Sequence, residues 1–245
     1  MAETCMQGRL EIAKDSDKLA QNAAEWFVGR VNARTENLRI SLSGGSTPKK
    51  LYCLLGSAGF SAQMPWQRLD LFWGDERFVS HESADSNYRM ARETLLASAP
   101  IARERVHPVP TDGTPADAAI RYETELKRSY GAEVLDPSKA LFEVMFLGLG
   151  SDGHTCSLLP GQPVLEERRH WVAPVMSGRG EPRVTLTYPA IGSSRALAFL
   201  VAGADKAEAV KAVRAGNRNL PAARIRTSGE VIWFVDSAAA GELTG

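Results

Sequence analysis

Residues 147–161 read LGLGSDGHTCSLLPG, and the fold turns on how this stretch is taken. It follows an apolar run, residues 141–147, that reads as a buried strand. The glycines that follow end the strand, and Asp152 and His154 come directly after them. A strand that stops in glycines and then presents a titratable pair places that pair at the carboxyl edge of a sheet, where ligands bind in open α/β proteins. The plainer alternative is a tight turn with a capping Asp and a solvent-facing His.

Working outward, apolar segments of strand type alternate with segments of helical period. Strands are expected over 38–42, 69–73, 106–108, 141–147, 171–175, 183–187, 197–201 and 231–235. Helices are expected over 16–35, 48–55, 87–97, 116–130 and 205–215. Strands separated by helices imply parallel pairing with helices on both faces of the sheet. Residues 177–182, SGRGEP, read as a mobile loop. Residues 1–245 are expected to form one domain, with no linker in evidence.

A second constellation, SGGSTP at 43–48, follows the strand over 38–42 directly. Thr47 suits an N-cap and Pro48 a first helical position. Glycines at 44 and 45 leave backbone N–H groups uncovered, so strand, turn and helix start together make an anion site. This loop matches neither GxxxxGK[ST] nor GxGxxG. Lys49 and Lys50 fall in the first turn, where the dipole disfavours cations, and a bound anion would offset that. The alternative is a well-capped helix with its lysines in solvent. Past the strand at 197–201, Asp205 can cap the next helix, with Lys206 at its start. The third constellation is WGDERFV, residues 73–79, followed by Ser86 and Asn87. Asp75, Glu76 and Arg77 directly after a strand suit a structural salt bridge, the more ordinary reading, or an arginine clamp on an anion.

Composition excludes several classes. With 29 basic and 29 acidic residues the net charge is zero, which leaves no footprint for nucleic acid or an anionic membrane. The longest apolar run, residues 196–202, is too short to cross a bilayer, and the N-terminus lacks the apolar core of a signal peptide. Cys5, Cys53 and Cys156 have no metal-ligand spacing, so a reduced, cytoplasmic protein without metal or other cofactor is expected.

Taken together and in order, SGGSTPKKLY, FWGDERFV with SNYRM, LGLGSDGHTCSLLPG and RVTLTYPAI closely resemble the 6-phosphogluconolactonase family. GADKAEAV extends the match to residue 210. That family belongs to a wider group with glucosamine-6-phosphate isomerase and deaminase. The resemblance implies a Rossmann-like α/β three-layer sandwich with a mostly parallel sheet. Aminosugar isomerases resemble GxDGHIAFNEP at the DGH block, with a catalytic Glu before the Pro. Here that position is Leu159, which argues for lactone hydrolysis over isomerisation. The resemblance implies His154 as general base and then acid, with Asp152 orienting it or its loop. It implies Gly44, Gly45, Ser46, Thr47, Arg77 and Lys206 around phosphate and sugar, Arg183 on the substrate, and Asp75 and Asn87 in the pocket wall. The division of Arg77, Arg183 and Lys206 between phosphate and carbonyl is left open. Cys156 stands where such lactonases usually carry Ala, so a thiol nucleophile is a competing reading, though a small buried Cys packs much like Ala. The expected partner is a small sugar-phosphate lactone, with no nucleic acid or membrane, and the chain is compatible with a monomer. A non-catalytic sugar-phosphate sensor of the same fold is the alternative from another class. Such sensors carry a helix-turn-helix region, for which a neutral chain without a spare N-terminal segment has no room.

Overall fold

The computed structural model describes residues 6–177 and 179–243, so Cys5 lies outside the described residues. Nine strands form two sheets. They are β1 (Arg9–Ala13), β2 (Leu38–Leu42), β3 (Leu69–Trp73), β4 (Asp75–Arg77), β5 (Val144–Leu147), β6 (Val172–Val175), β7 (Arg183–Leu186), β8 (Ala196–Val201) and β9 (Glu230–Asp236). Six of them form a parallel sheet in the order β1-β9-β8-β5-β2-β3. The mostly parallel α/β architecture is thus as expected. Strands β5 and β8 are buried along their whole length, which is why both read as continuous apolar runs rather than alternating ones. Helix Ser16–Asn32 buries Leu19, Ala23, Phe27 and Val31 on one face.

The sequence reading needs correction at 106–108, where Val106 makes only an isolated bridge to Leu71 rather than a strand, and in four further places. Strands β6 and β7 do not join the parallel sheet. They pair antiparallel with each other and with β4 in the order β4-β7-β6. The reason is length: the connection over 176–182 is too short for the crossover that parallel neighbours need. Second, β1 went unread, since RLEIA mixes charge with apolar residues and pairs only with β9 at the sheet's edge. Third, helix Ser46–Leu55 begins two residues earlier than expected. Its N-cap is Gly45 at φ 108°, and Thr47 and Pro48 lie inside its first turn. Fourth, Asp205 does not cap a helix. It sits in a short 3-10 turn, Ala204–Lys206, and pairs with Lys206 at 2.9 Å.

Chain order explains where a crevice must open. From β2 the chain moves outward to β3, then returns to β5 on the other side of β2 and continues to β8 and β9. The switch point therefore lies between the carboxyl ends of β2 and β5, the ligand-binding position of open α/β sheets. Two buried tyrosines fix the neighbouring strand ends. The Tyr52 hydroxyl accepts from the Ser43 N–H at 2.8 Å and donates to the Ser43 carbonyl at 2.9 Å. Tyr122 does the same for Trp73, at 2.7 and 2.9 Å. Each hydroxyl satisfies both backbone groups of a residue at a strand end, where sheet pairing stops. Burial pushes both phenols well above their ordinary range, so the hydroxyls stay protonated and can donate.

Gly74 joins the two sheets. Its N–H donates to Leu42 of β2 at 2.9 Å, while its carbonyl accepts from Leu186 of β7, also at 2.9 Å. A Cβ on Gly74 would stand 3.0 Å from both Cys156 Sγ and Met145 Cε, so a side chain there would have to push both neighbours aside. The chain thus passes from β3 into β4 and carries Asp75 and Arg77 over the carboxyl edge of the parallel sheet.

Candidate active site

The loops after β2, β3, β5 and β8 enclose a cavity of about 260 Å³. Gly44, Gly45, Ser46, Thr47, Asp75, Arg77, Asn87, His154, Arg183 and Lys206 all line it. Asp152 stands behind His154 and does not line the cavity itself. Lys49 and Lys50 do not line it either. Lys50 pairs with Asp17 at 2.5 Å and Ser16 at 2.7 Å, so the solvent reading holds for that lysine.

The loop after β5 builds a histidine–carboxylate pair. Gly150 N–H donates to the His154 carbonyl, and Gly153 N–H to the Gly150 carbonyl, both at 2.9 Å, which closes the loop on itself. His154 Nδ1 lies 2.5 Å from Asp152 Oδ1, and the His154 backbone N–H donates to the same oxygen at 3.3 Å. Burial pushes the Asp152 carboxyl up. The hydrogen bonds and charge of His154, with Arg179, outweigh that and hold it below the usual carboxylate value. An ionised carboxylate only accepts, so Nδ1 is the donor of this pair, and in the neutral ring Nε2 is left with the lone pair. A Cβ on Gly150 would fall 2.0 Å from His154 Nδ1 and 2.6 Å from Asp152 Oδ1. Only glycine leaves space for the pair there.

The DER segment resolves into separate jobs. The Asp75 carboxylate accepts from Ser157 Oγ at 2.6 Å, and Asn87 Nδ2 donates to the Asp75 carbonyl at 2.9 Å. Glu76 is buried under the start of helix Asn87–Ala91. It accepts from the N–H groups of Asn87 at 2.7 Å and Tyr88 at 2.8 Å, and from Ser86 Oγ at 3.0 Å. Burial pushes its carboxyl up despite these donors. Arg77 reaches the Asp85 carbonyl at 2.5 Å. Glu76 thus fixes Asn87, and Asn87 fixes Asp75. A Cβ on Gly44 would strike Asn87 Oδ1 at 1.9 Å, so the first glycine of SGGSTP exists for this close approach.

The cavity is cationic. Its charged lining residues are Asp75 against Arg77, Arg183 and Lys206. Arg77 and Arg183 are register partners across β4 and β7. Like charges directly opposite on a sheet are destabilising, a cost that the ion pair of Arg183 with Glu181 offsets in part and a bound anion would offset further. Arg183 is buried, and its Nε has no hydrogen-bond partner among the described residues. Helix Ser46–Leu55 has no side-chain cap, which leaves its first N–H groups available to the cavity. A cationic pocket beside a histidine held in its Nδ1–H form can bind an anion and take a proton from water.

Sequence reasoning missed Glu76 as a positioning group, and Arg179 and Glu181 entirely. Arg179 forms an ion pair with Asp152, and Glu181 one with Arg183 at 3.0 Å. Cys156 adopts φ 48°, and its part-buried thiol lines the cavity. Burial, and then the charge of Asp75, push that thiol well above its ordinary value, so thiolate is scarce at neutral pH. Cys156→Ala is therefore expected to keep kcat within about threefold. A complete loss in a folded variant, measured by steady-state kinetics with a thermal melt, would restore the nucleophile reading.

The fold and this switch-point site define a class of α/β proteins built around a Gly-rich anion loop and a DGH block. The chain belongs to the glucosamine-6-phosphate isomerase/6-phosphogluconolactonase family, whose model matches residues 14–233. It is 35% identical over 247 residues to a 6-phosphogluconolactonase of a Nostoc species, covering 98% of this chain and all of that one. It is 40% identical over 208 residues to the 6-phosphogluconolactonase of a Synechocystis species, covering 83% and 84% of the two chains. Among solved structures, the 6-phosphogluconolactonase from Trypanosoma cruzi superposes over both full chains with a TM-score of 0.85 at 28% identity.

Proposed function

We propose that this protein hydrolyses 6-phospho-D-glucono-1,5-lactone to 6-phosphogluconate, the lactonase step of the oxidative pentose phosphate pathway. The observation that carries this reading is the Asp152–His154 pair facing a cavity with three cations. His154 Nε2 takes a proton from water, and the oxygen of that water adds to the lactone carbonyl carbon. The tetrahedral oxyanion then collapses, the bond to the ring oxygen breaks, and the imidazolium returns its proton to that oxygen. Asp152 keeps Nδ1 protonated throughout. The N–H groups at 45–47 and Lys206 hold the phosphate, while Arg77 and Arg183 divide between phosphate and oxyanion. Asp75 and Asn87 shape the wall against the sugar.

The isomerase alternative loses support from Leu159, which is buried in the core where the isomerases carry their carboxylate. Among the described residues no helix is long and apolar enough to cross a membrane. We place the protein in the cytoplasm as a single domain, the compartment being supported by the two free cysteines among the described residues. Ring opening yields an acid that ionises, so rapid proton release from freshly generated 6-phosphogluconolactone is the test. The protein should accelerate release well beyond the spontaneous rate. Tight binding of the phosphosugar without acceleration would establish the sensor reading instead.

A further inference from the structure

We propose that Arg179 is a positioning residue that acts on His154 through Asp152. The strap over 176–182 joins β6 to β7 and is tied to the site at two points. Arg179 grips Asp152 Oδ2, on the carboxylate edge opposite the one that holds His154. Glu181 holds Arg183 Nη2 at 3.0 Å, on the far wall of the same cavity. Arg179 itself does not line the cavity, so its route to the reacting atoms runs through Asp152.

This arrangement has two consequences. Contacts on both carboxylate oxygens restrain the rotation of Asp152, and with it the plane of the imidazole it holds. The guanidinium also offsets the Asp152 charge as His154 senses it. An isolated carboxylate beside His154 would favour imidazolium, the form that cannot accept a proton from water. The charged and titratable groups facing His154 are Asp152 on its own loop and Arg179 beyond it. Across the cavity stand Asp75 and Arg77 of β4, Arg183 of β7, Lys206, and the Cys156 thiol. Of the cations, Arg179 is the one in contact with Asp152 among the described residues.

The rate arm of the test rests on the lactonase reading, and the titration arm does not. In Arg179→Ala, the acidic limb of the kcat–pH profile should move to higher pH by about half to one unit, since Asp152 then acts on His154 unopposed. Below neutral pH this appears as a fall of about three- to tenfold in kcat, with KM nearly unchanged. Arg179→Lys should restore most of both. Proton NMR of the His154 ring, assigned by its loss in His154→Gln, should show the same upward shift without any substrate. The proposal is overturned if limb and ring titration stay put in a folded Arg179→Ala protein, or if Lys rescues nothing. A wild-type protein without lactone turnover, whose His154 titration nonetheless shifts in Arg179→Ala, would sink the lactonase reading and leave this one standing.

Discussion

His154→Ala is expected to lower kcat for 6-phosphogluconolactone by about 10²–10⁴-fold, the usual worth of a positioned acid–base group. The loss should fall on kcat rather than KM, because the phosphate contacts lie on other loops. The fold should survive. The ring is part-buried on a loop whose shape comes from backbone hydrogen bonds, Gly150 to His154 and Gly153 to Gly150. A thermal melt and single-turnover proton release on the same preparation separate chemistry from folding. Near-normal turnover in the variant would remove His154 from the mechanism.

Lys206→Ala and Arg77→Ala should each raise KM for the phosphorylated lactone by about ten- to a hundredfold. A charge-assisted contact is worth about 1.5–3 kcal/mol, which converts to that range. Little stability should be lost with Lys206, whose ion pair is to its exposed neighbour Asp205. Gluconolactone without the phosphate should be a much poorer substrate of the native protein and nearly indifferent to either change. Inorganic phosphate or 6-phosphogluconate should raise the melting temperature, because a ligand bound only by the folded state stabilises it, and both variants should weaken that protection. Equal losses of kcat/KM on the two lactones in Lys206→Ala would show that this lysine is not a phosphate ligand.

The strands over 38–42 and 69–73 were legible to the residue, because LRISL and LDLFW set apolar residues around a single charged one, Arg39 or Asp70, and run directly into glycine-bearing turns. The glycines of the three site loops were legible as strand ends, and the residues they present do converge on one cavity. The second sheet was hidden because β4 is three charged residues, DER, with no strand signal of its own. Its pairing with β7 depends on a contact more than a hundred positions away. Arg179 was hidden for a related reason. It sits between glycines in a segment without periodicity, and its partner Asp152 is 27 positions distant. Cap chemistry misled at Thr47, where Gly45 took the N-cap because its φ of 108° suits glycine alone. At Glu76 the neighbouring Arg77 suggested an ion pair, while the nearer need was a helix start requiring an acceptor.

Gly74 divides its two backbone hydrogen bonds between the parallel and the antiparallel sheet. The floor that carries His154 and the wall that carries Arg77 and Arg183 are therefore parts of one frame, with their separation set by a single peptide unit. Such a frame works as a caliper, one jaw carrying His154 and the other the guanidinium groups of Arg77 and Arg183. The distance between those jaws is then a dimension that the backbone, rather than any side-chain rotamer, imposes on whatever the cavity binds.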